Sequence, residues 1–321
     1  MRVWTAGRFS RGQIAPGLLP VAARLAKRND IVQIHTPLPE APAVAAICRA
    51  ERRPVVMTHQ GDLVMPRGFA NQLVQRTGNV ALNLAGRLAT AITTHSSDYA
   101  AHSAFLRPFA GKIVAIPPPV DMPAPNRAAA AEWRRALGLE ERRVVGFAGR
   151  FVEEKGFDHL LQTVPETAAS VPEVCYLYAG QHHIVYERFY ERCRPLIESA
   201  GDRLAFVGLI TDRQRLADFY ALCDIFVLPS RTDCLGTVQL EAMLCGTPVV
   251  ATDIPGARTV VGATGMGLLV TPEDPSALAA GIVRALRDPG ALTKQRAEVT
   301  AAFDPIRSIA EYEALFARLI G

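Results

Sequence analysis

Six short apolar runs in the second half of the chain, at residues 144–148, 174–179, 204–207, 224–228, 248–251 and 267–270, alternate with segments of helical spacing. Strands that follow one another only through helices form a parallel sheet, and such a sheet has to be covered on both faces. The expected architecture is a doubly wound α/β domain, whose ligands bind beyond the carboxyl ends of the strands. Residues that follow a strand are therefore the first place to look for chemistry.

The first half repeats the alternation less regularly. Helical spacing covers 14–28 and 41–50, and strand-like runs lie at 31–35, 54–58, 91–94 and 113–116. Between the halves, five prolines fall in the nine residues 117–125, so 116–130 reads as a stiff linker. The expected division is a first domain over 1–120, a linker over 121–141, a second domain over 142–303 and a C-terminal helix over 304–321, opened by Pro305. A length of 321 residues is enough for two such domains.

Composition narrows the class. Apolar residues make up 49% and charged residues 21%, a globular balance far from that of a disordered chain. No apolar stretch reaches the eighteen or so residues of a spanning helix, and the first residues lack the apolar core of a secretory signal, so a cytoplasmic protein is expected. The six cysteines form no CxxC pair and read as reduced core residues. Cys175, His182, His183 and Cys193 match no standard zinc spacing, so no metal is expected. The motifs of serine hydrolases, P-loop NTPases and classical dinucleotide enzymes are absent. Charge is uneven: residues 1–140 hold 17 Lys+Arg and 8 Asp+Glu, against 18 and 23 in 141–321, giving +9 and −5. The basic half suits an acidic ligand or an anionic membrane surface.

Two segments carry candidate chemistry. GRFVEEKG places Gly149, Arg150 and Lys155 just after the first strand of the second domain, where two cations can meet an anionic ligand such as a diphosphate. Lys155 could instead pair with Glu153 or Glu154. The second segment, PSRTDCLGTVQLEA, follows the strand at 224–228. Asp233 lies in its loop, Gly236 opens a helix, and Glu241 sits in that helix, so the two carboxylates can line two sides of one pocket. Backbone N–H groups at Leu235, Gly236 and Thr237 suit a phosphate, and Asp233 also suits a helix cap.

These segments, together with VGLITDRQRLADFYALCDIFVLPSRTDCLGTVQLEAMLCGTPVVATDIPG and GLLVTPEDPSALAAGIVRAL, resemble the C-terminal domain of the family 4 retaining glycosyltransferases of GT-B fold. The resemblance implies two Rossmann-like domains facing a cleft and a metal-independent transfer of a hexose from a nucleotide-diphosphate sugar to a saccharide or lipid-linked acceptor. It implies no cofactor and no nucleic-acid partner. Arg150 and Lys155 would hold the diphosphate, with Asp233 as third catalytic residue. Gly149, Cys234, Leu235, Gly236, Thr237 and Glu241 would bind the donor, Glu241 at its ribose. Asp233 stands where the family usually has Glu. Cell-envelope polysaccharide or glycolipid synthesis, at the inner face of the membrane, would be the setting.

IVQIHTPLP, RRPVVMTHQGDLV and THSSDYAAHSAFL resemble βα segments of the same family's N-terminal domain. His59, Gln60 and Asp62 are the matching candidates for lining the active site, with Gln60 at the family's histidine position. Only thirty residues precede the strand at 31–35, so the N-terminal domain is expected to be shortened. That shortening, with Asp233 and Gln60, motivates an alternative: a nucleotide-sugar-binding remnant without transferase activity.

Overall fold

A computed structural model describes residues 4–9, 12–65, 69–184 and 187–321. The chain divides into two compact units, one of residues 1–118 with 306–321 and one of residues 119–305. The first unit contains the antiparallel pair β1 (Gly7–Phe9) and β2 (Gly12–Ile14). Its parallel sheet follows sequence order: β3 (Val32–Thr36), β4 (Val55–His59), β5 (Ala91–Thr94) and β6 (Ile113–Ala115). Every residue of β4 and β5 is buried, as expected where helices cover both faces of a parallel sheet.

The second unit carries β7 (Arg143–Ala148), β8 (Val174–Ala179), β9 (Leu204–Gly208), β10 (Ile225–Leu228), β11 (Val249–Thr252) and β12 (Gly267–Val270). They form one parallel sheet in the order β12-β11-β10-β7-β8-β9. Alternate side chains of each strand feed separate cores: Val144, Cys175 and Phe226 pack on one face, and Val145, Tyr176 and Ile225 on the other. From β7 the chain builds outward through β8 and β9, then returns to add β10, β11 and β12 on the opposite side. The direction reverses between β7 and β10, and that reversal opens a crevice at their carboxyl ends.

Three local expectations change. The helix expected over 14–28 is shorter, Leu18–Ala26, because residues 12–14 pair as β2 and Pro16-Gly17 interrupts the chain before the helix starts. Half of the expected linker is helix: Arg127–Ala136 follows the last proline, with the Asn126 side chain accepting from Ala129 N at 3.1 Å. An alanine-rich sequence with a polar cap is a good helix former, and this one belongs to the second unit. Asp218 accepts from Asn126 N at 2.7 Å, and Arg134 donates to the carbonyls of Leu139 and Leu222 and to Asp224. The C-terminal helix Pro305–Ile320 packs Leu315 against Val56, Ala91 and Ile116, so this last stretch of sequence completes the core of the first unit.

Candidate active site

The crevice between β7 and β10 is built from the two loops that leave those strands. β7 ends at Ala148, and Gly149 and Arg150 lead into the turn Glu153–Lys155. Tyr178 fixes the start of the loop by donating from its hydroxyl to Gly149 O at 2.6 Å. Gly156 then takes a left-handed conformation, φ 65°, and a Cβ there would lie 1.9 Å from Pro229 O. The loop after β7 thus rests directly on the backbone of the loop after β10. Gly256 supports the other side, where a Cβ would lie 2.4 Å from Cys234 O.

Arg231 clips the two loops together. Its backbone N–H donates to Glu154 O at 2.8 Å, and its guanidinium donates to Glu153 O at 2.5 Å. The same group forms a two-pronged pair with Asp158, at 2.9 and 2.7 Å, and donates to His159 Nε2 at 2.6 Å. Burial, and after it the charge of Arg231, push the His159 imidazole below its usual pKa, so it is neutral and able to accept. Both partners of the Arg231–Asp158 pair are about one-fifth exposed, and removing one would strand the other. Arg231→Met is expected to destabilise the second unit by about 3 kcal/mol. Urea unfolding followed through Trp133 fluorescence measures it; an unchanged midpoint would deny the clip any structural role.

Within this frame the sequence-predicted residues take definite places. Lys155 pairs with neither Glu153 nor Glu154: its ammonium donates to Asp233 Oδ2 at 2.6 Å. Arg150, half exposed at the loop tip, bonds Glu154 at 3.2 Å. Asp233 spends its other oxygen on Gly236 N, at 2.8 Å, which fixes the turn before the helix Thr237–Leu244. Both of its oxygens are engaged. Cys234 and Leu235 bury their side chains, so only their main chain can face a ligand, while Gly236 holds the left-handed position from which the helix starts at Thr237. Glu241 accepts from the buried Tyr220 hydroxyl at 2.7 Å, and burial followed by the nearby Glu241 charge keeps that phenol protonated. The arrangement offers a guanidinium, an ammonium and a carboxylate held in a fixed orientation at a helix start, a set suited to an anion flanked by hydroxyl groups.

The candidates of the first unit divide differently. His59 is completely buried, with Asp62 Oδ1 3.0 Å from Nε2 and Thr36 Oγ1 3.3 Å from Nδ1, and its ring packs on Phe105. Such a histidine shapes the loop and does not line an open site. Gln60 is exposed and contacts His35 at 3.0 Å. Asp62 also accepts from Ser103 Oγ at 2.5 Å. Burial alone would raise the Asp62 pKa, but the hydrogen bonds from His59 and Ser103 outweigh it and hold the carboxyl below its ordinary value. A group more acidic folded than unfolded stabilises the fold above its unfolded pKa, and loses that effect as pH falls through the folded one. Asp62→Asn is therefore expected to cost stability near neutral pH and to flatten the acid limb of the stability profile. A parallel shift at every pH would count against this origin.

The zinc-like set is dispersed, since Cys175 and Cys193 lie in cores on opposite faces of the sheet. Burial pushes their thiols up to about 11 and about 12. Among the described residues, no group of three or more His, Cys, Asp or Glu side chains could hold a metal ion.

Comparison with known proteins places this geometry. Residues 142–288 match the family described as glycosyl transferases group 1, and residues 1–122 match glycosyltransferase family 4. The chain belongs to the family 4 glycosyltransferases. It is 32% identical over 208 residues to the 2-deoxystreptamine glucosyltransferase of Streptomyces kanamyceticus, covering 63% of this chain and 53% of that protein. It is 35% identical over 200 residues to the D-inositol 3-phosphate glycosyltransferase of Xylanimonas cellulosilytica, covering 60% and 47%. The chain thus spans about half the length of the curated relatives it matches. Among solved structures, Anabaena HepE in complex with UDP superposes with a TM-score of 0.76 at 25% identity, over 95% of this chain and 82% of that one.

Arg231, Asp158, Tyr220 and Gly256 have no role in the sequence reading, although they hold the candidates in place. Arg231 had one available signal, its position three residues after the apolar run that ends at Leu228. The partners Asp158 and Tyr220 lie on other elements and leave no local trace in the sequence.

Proposed function

We propose that this protein is a retaining glycosyltransferase that moves a hexose from a nucleotide-diphosphate sugar to a hydroxyl of a saccharide or lipid-linked acceptor. The observation that carries this reading is the Lys155–Asp233 pair at the sheet's reversal point, with Arg150 on the same loop. Cations fixed there meet the charge that develops on a diphosphate as its bond to the sugar breaks. The sugar C1–O bond to the diphosphate breaks, the acceptor oxygen bonds C1 from the same side, and the acceptor proton passes to the departing phosphate oxygen. The matched motifs supply no separate general base, in keeping with that route. Glu241, held by Tyr220, is assigned to the donor ribose, and the backbone of Cys234, Leu235, Gly236 and Thr237 to sugar and phosphate. UDP in the HepE structure makes a uridine nucleotide the first donor to try.

Arg150 and Lys155 take the charge-neutralising part, so we propose that no metal ion or other cofactor is required, and that the work is done at the cytoplasmic side of the cell envelope. Incubation of UDP-sugars with candidate acceptors, with the product anomer read by NMR, tests the reaction. A product with the donor's anomeric configuration, formed equally well in EDTA, is expected. An inverted product, or a nucleotide sugar that binds and is never consumed with any acceptor, would overturn the reading; the second outcome would leave a binding protein.

A further inference from the structure

The helix Phe69–Leu88 has a face that the fold does not use. Its inner side buries Leu82 and Ala85 and packs on the helix Ala41–Ala50. Its outer side presents Phe69, Leu73, Arg76, Val80, Leu84 and Arg87, all exposed. At about 100° per residue these six positions fall within an arc of about 80°. Phe69 is 87% exposed and Val80 71%, values far from those of side chains that serve a core. Isolated exposed apolar residues are ordinary, but a continuous stripe along about 30 Å of helix is not.

The charge along this stripe selects its partner. From residue 63 to residue 97 the sequence contains three arginines and no Asp or Glu. A helix meant only for solvent would carry both signs, and one meant for a neutral protein surface would not place arginines within its apolar row. Arginine stems lie along apolar surface while their guanidinium groups reach phosphate, which is the chemistry of a headgroup layer. Among the described residues no helix is long and apolar enough to cross a membrane, so contact through this face would be peripheral.

We propose that the outer face of the helix Phe69–Leu88 docks on an anionic lipid surface, its apolar side chains entering the headgroup boundary and Arg76 and Arg87 pairing with lipid phosphate. The proposal stands apart from the catalytic reading, because it is tested without donor or acceptor.

The test is flotation of the full chain with phosphatidylcholine vesicles, with and without phosphatidylglycerol, over a salt series. Binding to the anionic vesicles alone is expected, weakening as salt rises. Arg76→Ala with Arg87→Ala is expected to weaken it about thirtyfold, since each cation near such a surface contributes about one kcal/mol. Leu73→Asp with Val80→Asp is expected to weaken it at least about tenfold. All four side chains are exposed, and unchanged thermal unfolding confirms that the variants fold. Equal binding to neutral vesicles, binding indifferent to salt, or full binding by either double variant would overturn the proposal. So would absence of vesicle binding with a concentration-dependent dimer that Leu73→Asp and Val80→Asp abolish, which would assign the face to a second copy of the chain.

Discussion

Lys155→Ala is expected to lower turnover by about a hundredfold or more, the scale on which one preorganised donor to a developing anion acts. The ammonium is already oriented, 2.6 Å from Asp233 Oδ2, on a turn that Gly156 presses against Pro229. On the proposed reading, the ammonium would need no reorganisation as charge appears on a leaving diphosphate. Arg150→Ala is expected to fall on the same scale, because its guanidinium sits on the same loop. A structural role alone would lower the protein's melting temperature and leave turnover per folded molecule intact. The measurement is therefore kcat at saturating donor, alongside thermal unfolding. Near-normal kcat in either variant would remove the diphosphate assignment.

Gly156→Ala is expected to destabilise the second unit by about 4 kcal/mol or more. Two effects combine at this position. Left-handed φ costs a non-glycine residue about 1–2 kcal/mol, and the new Cβ would fall 1.9 Å from Pro229 O, a backbone atom that can move only by shifting the whole loop. Gly138 separates the two effects, for it shares the conformation, φ 67°, and has open space around its absent Cβ. Gly138→Ala should cost only about 1–2 kcal/mol. Urea unfolding read through Trp133 compares them. Equal losses would mean that the close approach contributes nothing.

The strand positions of the second unit were legible because each one is a compact apolar run, buried on both faces in β8, β10 and β11 and half-buried at the edges in β9 and β12. The same pattern could not order them, since burial is alike on either side of β7 and only the pairing of β10 with β7 creates the crevice. Arg150, Lys155 and Asp233, in loops that follow strands, and Glu241, in the helix Thr237–Leu244, stand out as candidates from those places and from the family likeness. Their partners do not. Local spacing offers Glu153 or Glu154 as an alternative partner for Lys155, yet the ion pair forms with Asp233 across 78 residues of sequence, because Gly156 brings the two loops into contact. His59 ends β4, a strand buried on both faces, where Asp62, Thr36 and the Phe105 ring enclose it, whereas Gln60 lies beyond the strand and is exposed.

The dispersed cysteines make the protein its own reporter of opening. All six thiols are buried, Cys48 in the first unit and Cys175, Cys193, Cys223, Cys234 and Cys245 in the second. An alkylating reagent reaches a thiol only after the surrounding structure has opened, and only the thiolate reacts. Mass spectrometry of briefly alkylated protein would therefore follow Cys48 as a clock for one unit and the remaining five for the other. With donor present, a slowing confined to the second group would locate where nucleotide binds, without any substitution in the chain.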